Sequence, residues 1–344
     1  MARRIVVPLV RDLVGTALYQ TGLTRPARVG HDRLTIVTFH RVLPPEVLQD
    51  YPIGEIAVST DELAWFVDLF AREYTAGTLS ELHRRFEAGE RPKKPFLAIT
   101  FDDGQLDNFR YARPLLEAAG LRASFFVPLD AIDGNQPLWH DRLGYAADRL
   151  WRQDEAAARS LLGELGPVPA DRHAALMIAL ERTKALAPER RLDFVAKVEA
   201  RLGQAPRPEW DGMMSWDQLR ELAEAGHEIG SHSLSHAILP LLDDAQLGRE
   251  LKGSKDRLES ELSKSCEAFC YPNGDADSRV IEATHRAGYR RAVTTAWGIN
   301  PPGADPLRLV RCDLQGQHSR TLFGRLSPSR LAFRLSPYFS GPRP

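Results

Sequence analysis

The stretch FLAITFDDG, residues 96–104, decides the fold of this chain of 344 residues. Its apolar first half is typical of a buried strand, and two adjacent carboxylates, Asp102 and Asp103, follow it directly. A helix is predicted over residues 108–119, and residues 123–127 form the next apolar run. Strands that alternate with helices build a parallel sheet, and the chemistry of such sheets lies at the carboxyl ends of the strands. Asp102 and Asp103 occupy that position.

The same alternation continues on both sides of this stretch. Further strands are predicted at residues 34–39, 227–230, 268–271 and 291–295. Residues 138–205 are rich in Ala, Leu, Arg and Glu with helical periodicity, which indicates a helical insertion. These patterns predict an N-terminal amphipathic segment (1–30), one α/β domain that contains the insertion (31–320) and an irregular basic tail (321–344).

Composition narrows the classes of function. A formal net charge of −1 with an isoelectric point near 6.8 argues against a nucleic-acid-binding protein, which needs clustered positive charge. Three cysteines cannot build a disulfide framework, and no apolar run approaches the ~18 residues of a membrane span. The N-terminal segment is predicted to pack against the domain as a helix, with peripheral membrane contact as the alternative. We expect a cytoplasmic enzyme, and association with the inner face of the membrane is left open.

A second motif, HSLSH at residues 232–236, supplies two imidazoles that follow another predicted strand. Residues four apart share one face of a helix or helical turn, so His232 and His236 can converge on one ion. Adjacent aspartates repel each other when both are ionised, and a cation relieves that repulsion. One aspartate and two histidines form a divalent-metal site with open positions, and the other aspartate is a base for a metal-activated water. The pattern predicts a metal-dependent hydrolase.

Three motifs occur in the order TFDDG (100–104), HSLSH (232–236) and FCYPNG (269–274), and together they resemble the polysaccharide deacetylases. This family is also called the NodB-homology or carbohydrate esterase 4 group. The stretches TFHRV (38–42) and LWHDRL (138–143) add to the similarity. The resemblance implies a distorted (β/α)7 barrel that removes N-acetyl groups from an amino sugar or a glycan precursor.

The resemblance also implies roles for particular residues. Asp103, His232 and His236 would hold the metal, commonly zinc, although cobalt, iron or manganese suits the same ligands. Asp102 would be the base. The backbone N–H of Asn273 would stabilise the oxyanion, and its neighbours Tyr271 and Pro272 are expected to contact an acetylated saccharide.

The sequence departs from the family pattern at the general acid and at one arginine. The family places a histidine in a late motif, and His318 is the only histidine there, without the usual context. His40 follows the first strand and is a second candidate. Cys270 stands where the third motif normally begins with arginine, and Arg311 is predicted to replace that arginine. Trp297 follows a strand and is a candidate for stacking on a sugar ring.

Two other functions remain open at this point. The same site could hydrolyse a different linear or cyclic C–N amide bond. The chain could instead be a degenerate carbohydrate-binding module without turnover, which the missing arginine of the third motif would support.

Overall fold

The computed structural model describes residues 2–203, 208, 210–339 and 341; the side chains of residues 2–10 and 318 lie outside this description. Parallel strands close into a barrel in the order β1-β10-β9-β8-β7-β6-β5, and β5 pairs back with β1. The short strand β4 pairs with the start of β5, and β2 and β3 form a separate parallel pair. The strands are β1 (Leu34–Phe39), β2 (Arg41–Leu43), β3 (Ala57–Ser59), β4 (Thr75–Gly77), β5 (Phe96–Phe101), β6 (Ser124–Val127), β7 (Glu228–Ser231), β8 (Ala268–Cys270), β9 (Arg291–Trp297) and β10 (Leu309–Asp313). The predicted seven-stranded α/β barrel is confirmed.

Helices surround the barrel and extend the chain at both ends. They are α1 (Ala2–Gln20), α2 (Pro45–Leu48), α3 (Thr60–Glu73), α4 (Leu79–Glu87), α5 (Arg113–Ala118), α6 (Leu129–Gly134), α7 (Trp139–Gln153), α8 (Glu155–Leu162), α9 (Arg172–Lys184), α10 (Pro188–Leu202), α11 (Trp216–Glu224), α12 (Asp244–Gly248), α13 (Ser254–Leu262), α14 (Ser278–Arg286), α15 (Gly316–Ser319) and α16 (Pro328–Arg334). None of the helices in the described part of the chain combines the length and the apolar character needed to cross a bilayer.

The barrel core explains why the strands read as continuous apolar runs. All six residues of β5 are buried, because this strand faces the barrel interior on one side and helices on the other. Between the strands and helix α3, the rings of Phe39, Phe101 and Phe125 stack in series, with centroids 5.4 and 5.0 Å apart. This packing fixes the end of β5, where Asp102 and Asp103 begin.

Helices α7–α10, which we call the insertion helices, fill most of the stretch predicted to be an insertion. They bury Leu143, Leu176 and Val195 in an apolar cluster separate from the barrel core. The same cluster takes in Tyr51 and Ile53 from the segment between β2 and β3, which attaches the insertion helices to the barrel. The limits of the insertion and of the two terminal segments remain predictions.

The C-terminal tail was expected to be irregular, and in this respect the expectation is wrong, because the structure has helix α16. A proline at its first position is compatible with helix initiation. Leu331 and Leu335 are buried, and α16 packs against α1. The helix depends on this tertiary contact, which the local sequence does not reveal.

A buried histidine at the start of β7 makes stability depend on pH. The Ala123 N–H donates a hydrogen bond of 3.1 Å to Nδ1 of His227, so the neutral ring is the form that fits. Burial, with the charge of Arg122 nearby, lowers the pKa of His227 to about 4. The unfolded chain takes up this proton at about pH 6.5. Stability is therefore present above that pH and is lost as the pH falls towards 4.

We expect His227→Gln to flatten the fall in unfolding free energy between about pH 6.5 and 4, by up to about 3 kcal/mol. Denaturant unfolding at a series of pH values measures this slope. His285→Gln, on the exposed side of α14, is the matched control and should keep the slope of the unchanged protein. If the unfolding free energy of His227→Gln fell with pH as steeply as that of the unchanged protein, His227 would not be the source of this pH dependence.

Candidate metal centre

The two adjacent aspartates point to different partners because the backbone turns sharply after β5. Asp103 has a φ of +72° and Gly104 a φ of +66°, so the chain leaves the strand through two left-handed residues. Both carboxylates are buried. The two side chains therefore diverge because of this turn.

Asp102 is held by an arginine from the neighbouring part of the barrel. Arg311 on β10 donates from Nη1 to Oδ1 of Asp102 at 2.8 Å and from Nη2 to Oδ2 at 2.7 Å. Burial alone would raise the pKa of Asp102, but the charge and hydrogen bonds of Arg311 outweigh it and hold that pKa below its ordinary value. Asp102 is thus an ionised, oriented carboxylate.

His232 and His236 lie beside Asp103. Nε2 of each ring is 3.5 Å from Oδ1 of Asp103. The two rings meet in a bend after β7, in which Ser233 and His236 have φ values of +68° and +57°. The spacing of four works through this bend, and the helical turn that the sequence suggested is absent from this described segment.

The three side chains fit a divalent cation. Ligand atoms bound to one ion at about 2.0–2.2 Å lie about 3–3.6 Å from each other, and the two distances of 3.5 Å between Asp103 and the histidines fall in this range. Nδ1 of His232 donates to the Cys270 carbonyl at 2.7 Å, so in the neutral ring Nε2 carries the lone pair that a metal would bind. Burial opposes a charged ring, but without a cation Cys270 and Asp103 raise the pKa of His232, and a bound cation would displace that proton. Burial lowers the pKa of His236 to about 4, so this ring is neutral at pH 7.

A second group, Asp102, His232 and Cys270, also brings three potential ligand atoms together. It suits a cation less well, because Nη2 of Arg311 lies 3.3 Å from the Cys270 sulfur and repels a positive ion. Burial also raises the pKa of the Cys270 thiol, so the sulfur stays protonated. The set of Asp103, His232 and His236 is the better one.

His40 lies directly after β1, beside Asp102. Its Nε2 is 3.7 Å from Oδ2 of Asp102. Its Nδ1 is buried, and no described residue forms a hydrogen bond with it. The ring lines the cavity above the metal ligands and also an adjoining cavity of about 300 Å³. His40 could therefore donate a proton to a group bound in either cavity.

The loop after β8 brings Asn273 to the same cavity. Asn273 has a φ of +57°, and Thr295 donates to its carbonyl at 3.0 Å. Gly274 follows with a φ of +76°, and a Cβ there would lie 2.1 Å from Thr295 Oγ1, so only glycine fits. This fixed geometry positions the backbone of Asn273 at the rim of the site.

Of the two neighbours of Asn273 that were expected to contact substrate, Tyr271 lines the metal-side cavity. The Tyr271 hydroxyl donates to the Leu307 carbonyl at 3.0 Å, so its polar end is used within the core. Burial raises the pKa of Tyr271 to about 12. Pro272 is buried beneath the loop and is absent from the described lining of the metal-side cavity. Contact of either side chain with substrate remains a prediction.

The structure places Trp297 next to the site, but it does not describe the side chain of His318. Trp297 lies under Arg334, whose guanidinium is 4.7 Å from the ring centroid, and meets the Phe339 ring at 5.4 Å. It lines the adjoining cavity with His40 and Arg311, at some remove from the metal ligands. Sugar stacking by Trp297 remains a prediction. The side chain of His318 lies outside the described residues.

Sequence reasoning missed one wall of the site. A cavity of about 210 Å³ lies over the metal ligands, and the insertion helices with the segment before β3 close one side of it. The residues of this wall are Ile53, Ile56, Trp139, His140, Met177, Leu180, Glu181 and Lys184. Most of them are apolar, so the cavity combines an apolar wall with a polar floor.

His140, in the first turn of α7, is one of three polar residues in this wall. Its Nε2 lies 3.8 Å from Oδ2 of Asp103 and 3.7 Å from Oδ2 of Asp141. No described residue forms a hydrogen bond with this nitrogen. The LWHDRL stretch was the available indication that His140 belongs to the site.

Comparisons with known proteins agree with this site. The family model described as polysaccharide deacetylase matches residues 172–292, which include His232, His236 and Asn273. A curated relative, "Putative polysaccharide deacetylase YxkH" of Bacillus subtilis (strain 168), is 29% identical over 108 residues, 31% of this chain and 39% of that protein. The alignment thus spans less than half of the relative's length.

Solved structures share the fold. The deacetylase PplD of Streptococcus pyogenes, in complex with acetate, matches with a TM-score of 0.59 and 18% identity, over 89% of this chain and 99% of that one. The polysaccharide deacetylase BC0361 of Bacillus cereus matches with a TM-score of 0.53 and 17% identity, over 88% and 69%. IcaB of Ammonifex degensii matches with a TM-score of 0.51 and 18% identity, over 83% and 93%. The chain is similar to the polysaccharide deacetylases over the matched segment and in its fold, and the resemblance drawn from its motifs is confirmed.

Proposed function

We propose that this protein is a metal-dependent deacetylase that removes N-acetyl groups from an amino sugar within a saccharide or glycan precursor. The observation that carries the proposal is the convergence of Asp103, His232 and His236, with the ionised carboxylate of Asp102 beside them. The solved relatives described as deacetylases share the barrel in which this site lies.

Asp103, His232 and His236 would hold the cation, which fits zinc and also cobalt, iron or manganese. When bound, such a cation polarises the acetamide carbonyl and lowers the pKa of water. Asp102 accepts the proton of the attacking water, because its carboxylate is ionised and fixed by Arg311. Arg311 acts as the positioning residue in place of the arginine missing at Cys270.

Two further groups complete the proposed reaction. The Asn273 N–H, at the rim of the cavity, donates a hydrogen bond to the developing oxyanion. The leaving amine requires a proton, and His40 donates it from its position beside Asp102 in the lining of the cavity. His318 remains the other candidate acid.

The structure bears differently on the two alternative functions, another amide hydrolase and a non-catalytic binding module. The apolar wall formed by Ile53, Met177 and Leu180 favours a second candidate, hydrolysis of another C–N amide bond with an apolar neighbour. The non-catalytic binding module has less support, because Arg311 pairs with Asp102 at 2.7 Å and can take over the role of the missing arginine.

Metal content and acetate release together test the proposal. We expect the purified protein to retain about one divalent ion per chain and to release acetate from N-acetylated glycan fragments. Asp103→Asn should lose the ion and lower acetate release by about 10³-fold or more, since the cation supplies several kcal/mol of transition-state stabilisation.

Asp256→Asn, on the exposed face of α13, is the matched control and should keep both properties. Full acetate release without metal would refute the proposal. Release of ammonia or of a peptide amine, with no acetate from any acetylated glycan, would favour the second candidate.

A further inference from the structure

The two ends of the chain carry a positive charge that the rest of the chain offsets. Residues 1–30 and 314–344 contain ten arginines and a single acidic residue, Asp12, although the whole chain has a net charge of −1. The remainder of the molecule is therefore strongly acidic. Such an asymmetry between the ends and the body of a chain indicates a surface for an anionic partner.

The two ends form one surface in the structure. Helix α1 packs against α16. The Leu322 N–H donates to Oδ2 of Asp12 at 2.9 Å, and Arg330 pairs with the other oxygen of Asp12 at 3.3 Å. Thr16 and Ser329 share a hydrogen bond of 3.3 Å. We call the surface made by residues 11–28 and 320–339 the terminal face.

Large apolar side chains project from the terminal face into solvent. Among the described residues, seven large apolar side chains are exposed, and five of them lie here. They are Leu13 (63% exposed), Val14 (51%), Leu23 (51%), Phe323 (79%) and Tyr338 (61%). Exposed arginines, among them Arg11 and Arg325, lie in the same segments. Clustering of this kind on one face marks an interaction surface.

We propose that the terminal face binds to the surface of an anionic phospholipid bilayer. Arginines attract anionic headgroups, and the exposed Leu, Val, Phe and Tyr side chains insert at the boundary with the acyl chains. A soluble anionic polymer would use the arginines but would leave Phe323 and Leu13 in water. The combination of both side-chain types therefore favours the bilayer.

The terminal face borders the mouth of the barrel. Arg334 and Phe339 pack on Trp297, which lines the cavity next to His40. A bilayer bound at this face would lie beside the open side of the site. The proposal does not depend on which amide the enzyme hydrolyses.

Vesicle co-sedimentation of the full chain tests the proposal. We expect binding to vesicles of equal parts phosphatidylglycerol and phosphatidylcholine, weakened by salt, and little binding to pure phosphatidylcholine. The double variant Leu13→Ser/Phe323→Ser should lower partitioning to the anionic vesicles by about tenfold or more. Arg11→Gln/Arg325→Gln should lower it as well and reduce its dependence on salt.

Leu192→Ser/Leu241→Ser is the matched control, because these side chains are 51% and 61% exposed on other surfaces. It should bind like the unchanged protein. All six substituted positions are exposed, and an unchanged melting temperature for each variant excludes unfolding as the cause. Three results would overturn the proposal: no binding to anionic vesicles, full binding by Leu13→Ser/Phe323→Ser, or equal loss in the control.

Discussion

Replacing Asp102 with asparagine is expected to lower the rate of acetate release by about 10²–10⁴-fold while the protein keeps its metal. The asparagine amide has nearly the same shape as the carboxylate but cannot accept the proton of the attacking water. The metal should remain, because the ligands assigned to it are Asp103, His232 and His236. Acetate assays and metal analysis on the same preparation measure both effects.

Cys270→Ser is the matched control for this prediction. Cys270 is buried, and its sulfur lies 3.5 Å from Oδ2 of Asp102, so the variant perturbs the same cluster without removing the base. It should retain most of the activity. The role of Asp102 as the base would be contradicted if Asp102→Asn released acetate within a few-fold of the unchanged protein.

The alternation of short apolar runs with helical patterns predicted a parallel sheet, and the resemblance to the polysaccharide deacetylases implied that this sheet closes into a barrel. The sequence also pointed to Asp103, His232 and His236, which the structure brings together. The two histidines converge for a different reason from the helical turn that their spacing suggested. They meet in a bend that contains left-handed residues. The order and spacing of the motifs therefore carried more information than the helical geometry used to interpret them.

The rest of the site depends on contacts between distant parts of the chain. In the closed barrel, β1 pairs with β10 on one side and with β5 on the other. This arrangement brings Arg311 on β10 to Asp102 at the end of β5. The wall with Met177 and Leu180 depends on how the insertion helices pack over the barrel mouth. Helical periodicity predicts such helices but does not say which of their faces meets the site.

The buried charges beside His40 lead to the largest expected effect on stability. Arg41 is fully buried, and its guanidinium contacts Asp107 at 2.8 Å, Asp211 at 2.5 Å and Asp141 at 3.0 Å. The rings of Tyr51 and Trp210 lie over it, each with its centroid 5.4 Å away. One cation thus offsets three carboxylates that have little access to water.

Arg41→Met should lower the free energy of unfolding by about 3–5 kcal/mol, because it leaves these carboxylates buried without their partner. Burial already raises the pKa of Asp107, which shows how costly the charged form is even with the arginine present. Denaturant unfolding at pH 7 measures the change. Asp107→Asn combined with Arg41→Met should recover part of the loss, because it removes one of the uncompensated charges.

Arg85→Met is the control, since Arg85 pairs with Glu81 and Glu90 in a partly exposed position. Exposed ion pairs contribute little, so its effect should stay within about 1 kcal/mol. If Arg41→Met were no more destabilising than Arg85→Met, the carboxylates around Arg41 would have to be protonated or hydrated in the folded protein. The partial recovery in the double variant distinguishes uncompensated charge from loss of packing, because Asp107→Asn restores no lost volume.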